Sequence, residues 1–368
     1  MDLQHLQLQN FRNYHQLDLH FSKHTNVFIG SNAQGKTNLL EAIYVLALVR
    51  SHRTSNNQEL IRWGTDFAKL QATVQKAASR LSLELVLSAA GKKAALNHIE
   101  KKRLSEYVGQ LNVILFAPED LNLIKGGPAL RRRFIDMELG QIDHGYLQNS
   151  SRYRQVLKQR NTYLKKLKRK QAHDRVYLEV ISDQLAGYGA EVIAARNNFL
   201  GNIQKYLSPI HQEITAKQEQ IRLEYQSGVT QNNVSVEEIY QQLLNQLQAN
   251  QEHDLWVGST SVGPQRDDFR FLVNGNDLQK YGSQGQQRTA VLSLKLAEID
   301  LFGNLVGDPP ILLLDDVLSE LDQIRQTQLL KTLENRIQTF ITTTSLENVD
   351  LQTIKNPQIF KIRAGGIA

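Results

Sequence analysis

The chain contains no cysteine. A disulfide framework and any cysteine-ligated zinc or iron–sulfur centre are therefore excluded. No apolar run approaches the roughly 18 residues that mark a membrane span, so no spanning helix is expected. The opening residues, Met1-Asp2-Leu3-Gln4-His5, lack a basic segment followed by an apolar one, and no signal peptide is expected. Internal repeats and low-complexity segments are missing too. These absences together predict a cytoplasmic globular protein without a membrane partner. What is present fits that class: 41% hydrophobic and 22% charged residues, the proportions of an ordinary folded domain. A chain of 368 residues exceeds most single cores and predicts about two lobes. A net charge of +6 and a pI near 9.2 permit a polyanionic partner.

The most informative stretch is Gly30-Ser31-Asn32-Ala33-Gln34-Gly35-Lys36-Thr37. Two glycines, a lysine and a hydroxyl residue at this spacing form a phosphate-binding loop. The glycines let backbone N–H groups curl around an anion. Lys36 reaches the outer phosphates and Thr37 offers its hydroxyl to Mg²⁺. The flanks agree. Thr25–Ile29 is β-rich, and Asn38 to Val49 reads as a helix, which would place phosphate at a helix N-terminus.

Elsewhere, Leu81, Leu83, Leu85 and Leu87 alternate with polar residues and predict a half-buried antiparallel strand. Asn112 to Phe116 reads as a buried strand, and Pro118 with Glu119 and Asp120 as a helix start. From Gly126-Gly127-Pro128 to about Asn250 the periodicity turns helical, with a polar break at His173-Asp174. This predicts one short antiparallel helix pair. Strands return at Arg222 to Tyr225, Phe269 to Val273, Ile311 to Leu314 and Gln338 to Thr343. The fold class expected is α/β, with an ATPase lobe at residues 1–125 and 255–368 and a mainly helical lobe inserted at 126–254.

Ile311–Asp316 is an apolar run ending in two aspartates. Such a strand would carry Asp315 to Mg²⁺, through water, and Asp316 to the attacking water. Upstream, Tyr281 to Thr289 holds Ser283 and Gly285 at the start of a helix. It resembles the signature motif of ABC-type ATPases, whose subunits face head to tail. There, the signature of one subunit caps the γ-phosphate in the P-loop of the other.

The order of these motifs is similar to the heads of SMC and Rad50 ATPases. The short insertion and several local stretches resemble the bacterial RecF family. Those stretches are Asn10-Phe11-Arg12-Asn13-Tyr14, Ser51-His52-Arg53-Thr54, Phe116-Ala117-Pro118-Glu119-Asp120, Arg131-Arg132-Arg133-Phe134, Gly263-Pro264-Gln265-Arg266-Asp267-Asp268 and Ser283 to Thr289. The resemblance implies a weak ATPase that uses ATP and Mg²⁺, forms an ATP-dependent homodimer and binds double-stranded DNA and ssDNA–dsDNA junctions. It implies action at gaps and stalled forks with RecO and RecR, to help load RecA, in the nucleoid. It implies nucleotide contacts from Gly30 to Asn38, a sensing role for Arg53, Walker B metal binding by Asp315, and a catalytic carboxylate at Asp316. It also implies a trans cap from Ser283 and Gly285 and a D-loop acid at Asp322. An ATP-gated scaffold without significant hydrolysis, or a nucleotide-binding subunit of a transporter, are the alternative functions.

The chain departs from the pattern in four places. Asp316 stands where many relatives carry Glu, which suggests slow hydrolysis. No Gln follows Phe116 at the usual position. Gln265 occupies a place expected for His, and Thr343 and Thr344 replace the switch histidine. A separate basic run, Arg152 to Lys170, includes Arg152, Arg154, Lys158, Arg160, Lys165 and Lys166 with no acid. It reads either as a surface tracking DNA phosphates or as a solvated or partner-docking helix face. Tyr153 and Tyr163 within it read as packing residues.

Overall fold

Alternation builds the first sheet. The computed structural model describes residues 1–229, 234–318, 326, 329, 336–345 and 356–368. Strands β1 (Asp2–Phe11) and β2 (Tyr14–His20) form a hairpin, while β3 (Thr25–Ile29) leaves for a second sheet. The first sheet continues through β4 (Phe67–Gln75), β5 (Arg80–Ser88), β6 (Gly91–Leu96) and β7 (Ile99–Glu100), all antiparallel, in the order β2-β1-β4-β5-β6-β7. Ala68, Leu70, Ala72 and Val74 on β4 and Leu83, Leu85 and Leu87 on β5 are buried. Their intervening neighbours are not, as a one-faced sheet requires.

The second sheet has the order β15-β14-β3-β13-β12-β8. It contains β8 (Val113–Phe116), β12 (Ile311–Asp315), β13 (Thr339–Thr343), β14 (Gln358–Arg363) and β15 (Gly366–Ile367). All pairings are parallel except the terminal β14–β15 hairpin. Every residue of β8, β12 and β13 is buried, which explains why these strands read as continuous apolar or Thr-rich runs. Helix α1 (Lys36–Leu48) touches β8, β12 and β13 of this sheet and β4 and β5 of the first. A helix covered on several sides is apolar nearly all round, and from Leu39 to Leu48 every residue of α1 is buried.

Contacts divide the chain into two compact units. The first comprises Met1–Asp120, Glu213–Ala216 and Val291–Ala368, and the second Leu121–Gln212 and Lys217–Ala290. The second unit holds α2 (Asn122–Lys125), α3 (Pro128–Ile142), α4 (His144–Lys168), most of α5 (Arg175–Ile214), α6 (Val236–Ala249), α7 (Gln251–Val257) and α8 (Leu278–Tyr281). The expected helix pair is α4 and α5, and its break falls at residues 169–174. Asp143 caps α4 by accepting from Tyr146 N–H at 2.9 Å. Ser235 and Glu238 form a reciprocal capping box at α6.

The second unit also contains a three-stranded sheet, β11-β10-β9, formed by β9 (Ile221–Gln226), β10 (Asp268–Val273) and β11 (Asn276–Asp277). This corrects the expected boundary at residue 254. Residues 255–290 cluster with the second unit, because β10 pairs antiparallel with β9 along its whole length. Arg131 reinforces that pairing by donating to both oxygens of Asp268 at 2.7 Å. Helix α9 (Gln284–Val306) contributes residues to both units.

Candidate nucleotide-binding site

Strand β3 ends at Ile29, the loop Gly30–Gly35 follows, and α1 begins at Lys36. Gly35 has φ of 119° and Ala33 a φ of 63°. A side chain at Gly35 would be strained by that backbone and would also meet Asn13 Nδ2 at 2.6 Å. At Gly30 the constraint is space, since a Cβ would clash with the Ile362 carbonyl oxygen. Lys36 Nζ donates to the carbonyls of Gly30 at 2.6 Å and Ser31 at 2.9 Å. The lysine is thus held over the loop. Burial lowers its pKa, while Asp316 and Asp315 pull the other way.

The loop is gripped from two directions. From the β1–β2 turn, Asn13 Nδ2 donates to the Gln34 carbonyl at 3.1 Å and Tyr14 Oη to the Gly35 carbonyl at 3.1 Å. From the β14–β15 turn, Gly365 N–H donates to the Gln34 carbonyl at 3.0 Å, and Ala364 N–H to Gln34 Oε1 at 2.7 Å. These contacts hold the loop backbone from both sides.

Thr37 and Asp315 meet across the sheet. Thr37 Oγ1 donates to Asp315 Oδ1 at 3.0 Å, and Thr342 Oγ1 donates to the same oxygen at 2.8 Å. Thr342 Oγ1 also accepts from Asp316 N–H at 2.9 Å. Asp316 lies in the left-handed region at φ 53°, so the chain turns sharply as it leaves β12. Burial raises the Asp315 pKa, opposed by the hydrogen bonds from Thr342 and Thr37.

A second polar cluster lies on α1. Arg53 donates to Asn38 Oδ1 at 2.9 Å, and Asn38 Nδ2 donates to Asn13 Oδ1 at 2.8 Å. Arg53 also approaches Glu41 at 3.4 Å. Glu41 is fully buried and accepts two bonds from Arg12, each 2.8 Å, and one from Ser51 at 2.5 Å. Burial alone would raise the Glu41 pKa, but Arg12 and Ser51 outweigh it and the net shift is downward. Beside this cluster is a cleft of about 430 Å³ lined by Arg12, Asn13, Asn38, Arg53, Arg62 and Trp63. Trp63 is 94% exposed.

The first unit therefore brings together Gly30 to Asn38, Arg53, Asp315 and Asp316. Asp322 lies outside the described residues. Ser283 and Gly285 belong to the second unit. There Ser283 is exposed and caps α9, accepting from Gln286 N–H at 3.2 Å. Gln265 accepts a bond from the Tyr153 hydroxyl and donates to the Val262 carbonyl at 2.8 Å.

On α4, Arg152, Arg154, Lys158, Lys165 and Lys166 are all exposed. Arg154 faces Asp136 at 3.6 Å, and the Arg152 guanidinium lies 5.7 Å from the Tyr188 ring centre. Arg160 leaves the basic surface altogether. It is fully buried, pairs with buried Asp254 at 2.7 Å and donates to Thr260 and Ser182. Tyr153 is buried, and Tyr163 packs edge-on against Tyr177, so both are packing residues.

Reasoning from residues did not single out Asn13, Tyr14, Glu41, Thr342 or Gln34's side chain. Asn10–Tyr14 and Ser51–Thr54 were visible as stretches, but nothing in them names the loop that Asn13 and Tyr14 hold or the carboxylate that Arg12 and Ser51 share. Thr342 is one of three threonines in β13, and nothing in that run marks it as the one that meets Asp315.

A family model described as the RecF/RecN/SMC N terminal domain matches residues 2–364. The DNA replication and repair protein RecF of Latilactobacillus sakei subsp. sakei (strain 23K) is 58% identical, over 99% of this chain and 98% of its own length. The protein of that name in Enterococcus faecalis (strain ATCC 700802 / V583) is 51% identical, over 100% and 98%. A solved structure described as the recombination mediator protein RecF-ATPrS in the RecFOR pathway has a TM-score of 0.92 and 36% identity, covering 100% of this chain and 97% of that one. An Smc head domain from Pyrococcus furiosus, at TM-score 0.54 and 16% identity over 99% and 94%, shares the fold alone. The matches run the length of the chain, and it belongs to the RecF family, with the fold of an ABC-type ATPase head.

Proposed function

We propose that this chain binds and slowly hydrolyses ATP with Mg²⁺, dimerises head to tail on ATP and, as a dimer, binds duplex DNA and ssDNA–dsDNA junctions in recombinational repair. The observation that carries this reading is the 3.0 Å bond from Thr37 Oγ1 to Asp315 Oδ1, between residues 278 positions apart. It brings the Thr37 hydroxyl and the Asp315 carboxylate together next to the residue that follows the loop, Lys36, and so supports reading them as Walker A and Walker B groups. The donor set suits a hard divalent ion, since both groups offer oxygen. Thr37 and Asp315 would hold Mg²⁺, which when bound neutralises charge on the phosphates. Lys36 supplies a point charge to the outer phosphates, and the loop N–H groups with the α1 N-terminus favour the anion. Asp316 accepts a proton from the attacking water. The cleft beside Asn38 and Trp63 is the place for the base.

The solved relative described with ATP, 36% identical at TM-score 0.91, supports the choice of nucleotide. The RecFOR description of that relative supports RecO and RecR as partners, with RecA downstream, in the cytoplasm at the nucleoid. The test is sedimentation with ATP, ADP or no nucleotide, each with and without duplex DNA. Dimer and tight DNA binding are expected with ATP alone. Asp316→Asn should retain ATP binding, accumulate dimer and slow phosphate release. Monomer under all conditions would overturn the reading.

A further inference from the structure

Ser283 is the end of a chain of hydrogen bonds that reaches a buried histidine. Its N–H donates to Gln286 Oε1 at 2.9 Å, and its hydroxyl oxygen accepts from Gln286 N–H at 3.2 Å. The other end of the same amide, Gln286 Nε2, donates to Glu219 Oε1 at 2.9 Å. The second oxygen of Glu219 accepts from His211 Nε2 at 3.1 Å. A carboxylate only accepts, so Nε2 of this ring is the donor. His211 is fully buried, and the Glu219 side chain is 18% exposed. All four residues lie in the second unit.

The chain has a direction. An amide presents an acceptor at one end and donors at the other. With the Glu219 carboxylate on one side, only one orientation of Gln286 is satisfied, and it is the one that turns the carbonyl oxygen to Ser283. Because the Ser283 oxygen accepts from the helix, its own proton remains available to donate. Glu219 itself stands on a fixed platform. The adjacent Gln220 exchanges bonds with Asn274, from its N–H to Asn274 Oδ1 and to its carbonyl from Asn274 N–H, both 2.9 Å. Those two residues continue the β9–β10 ladder that begins at Ile221 and Val273.

We propose that Glu219 is a positioning residue, which sets the Gln286 amide and through it the Ser283 N–H and hydroxyl for the nucleotide held by a second copy of this chain. This rests on the head-to-tail reading above. A site held to within tenths of an ångström needs such support from behind, and Glu219 holds the end of the Gln286 amide that Ser283 does not.

Five variants test the proposal against parent protein by sedimentation with ATP, with monomer affinity followed by a fluorescent ATP analogue at low protein concentration. Glu219→Ala should weaken ATP-driven self-association about tenfold, the loss of one hydrogen bond to a charged group, with monomer affinity unchanged. Glu219→Gln keeps an oxygen for Gln286, and the neutral His211 ring can accept from its amide, so association should return to within a few-fold of parent. Gln286→Ala removes the amide and leaves the Glu219–His211 pair, so it should reproduce the Ala loss even where Glu219→Ala is too unstable to assay. Glu224→Ala removes an acid of the same sheet that pairs with Arg270 and should leave association as in the parent. Parent-like association in Glu219→Ala or Gln286→Ala, with Ser283→Arg monomeric, overturns the positioning role and leaves the trans cap standing. Normal dimerisation of Ser283→Arg overturns both.

Discussion

Two of the places where this molecule buries charge differ in how that charge is paired. In the second unit, Arg160 and Asp254 are both fully buried and 2.7 Å apart. Thr260 and Ser182 accept from the guanidinium, and Ser261 N–H donates to the carboxylate at 2.9 Å. At the phosphate loop, Lys36 and Asp315 are nearly as buried, yet burial pushes each towards its neutral form. Matched charge holds a fold together. Charge kept at an electrostatic cost marks a place where an ion or a phosphate gains from pairing.

Removing one partner of the matched pair should have the largest effect. Asp254→Ala leaves a buried guanidinium without its carboxylate, which costs about 3–5 kcal/mol. Urea denaturation should report that loss, while nucleotide affinity of the folded protein stays unchanged. The double variant Arg160→Met with Asp254→Leu should recover most of the stability, because an apolar replacement carries no desolvation penalty. A loss below about 1 kcal/mol for Asp254→Ala, the range of an exposed pair, would erase the contrast.

Lys36→Ala is the reverse case. Nucleotide affinity should fall by roughly a hundredfold, about 3 kcal/mol for a truncated charge contact. The thermal midpoint should hold or rise, since a lysine destabilised by burial has been removed. A clear drop in the midpoint would make Lys36 a structural residue and the comparison false.

The same contrast explains what could be read from sequence. The segments read as Walker A, Walker B and signature are each local: the residues that define one are neighbours in sequence, so their spacing shows it. Single strands such as those at 81–87 and 311–314, and the α4–α5 pair, were legible because period-two, apolar-run and helical patterns are local as well, while β14 and β15 were not foreseen. The second-unit sheet was legible as strands but not as a sheet. Residues 221–226 and 268–273 pair over more than forty positions, and no short-range signal assigns them to one unit. Arg160 was misplaced for a related reason. A count of basic residues cannot separate one that faces Asp254 from its exposed neighbours. Gly365, Asn13 and Tyr14 act on the loop from both ends of the chain, which only folding reveals.

A smaller effect separates the two kinds of buried acid by pH. Asp315 would have to be ionised to hold Mg²⁺ as proposed, and its pKa is raised. Mg²⁺-dependent nucleotide affinity should therefore increase as pH rises through a window above the ordinary carboxylate range, and Asp315→Asn should abolish that dependence. Glu41 behaves oppositely. Its folded pKa is lowered, so its contribution to stability is complete above the unfolded value and is lost as pH falls through the folded one. Denaturation of parent and Glu41→Gln should converge at acid pH. Divergence there would place Glu41 with Asp315 and blur the distinction.

The smallest effect concerns the exposed basic residues of α4, where charge is neither buried nor matched in the same way along the helix. Arg154 faces Asp136 at 3.6 Å and is 49% exposed, so a DNA phosphate must compete with an acid already in place. Lys166 is exposed in the last turn of α4, where Lys165 and Lys168 are its basic neighbours. If this face tracks DNA, Lys166→Ala should lower the slope of log affinity against log salt by about 0.9, the value for one phosphate contact. Arg154→Ala should lower it by less, because the acid that it leaves behind also changes the local field. Sequence should not matter to either, since phosphate contacts carry no base information. Fluorescence anisotropy of the ATP-bound protein on duplex and gapped DNA, at four salt concentrations, gives both slopes. Equal slopes for parent and Lys166→Ala would remove α4 from the DNA surface and leave its basic face to solvent or to a protein partner.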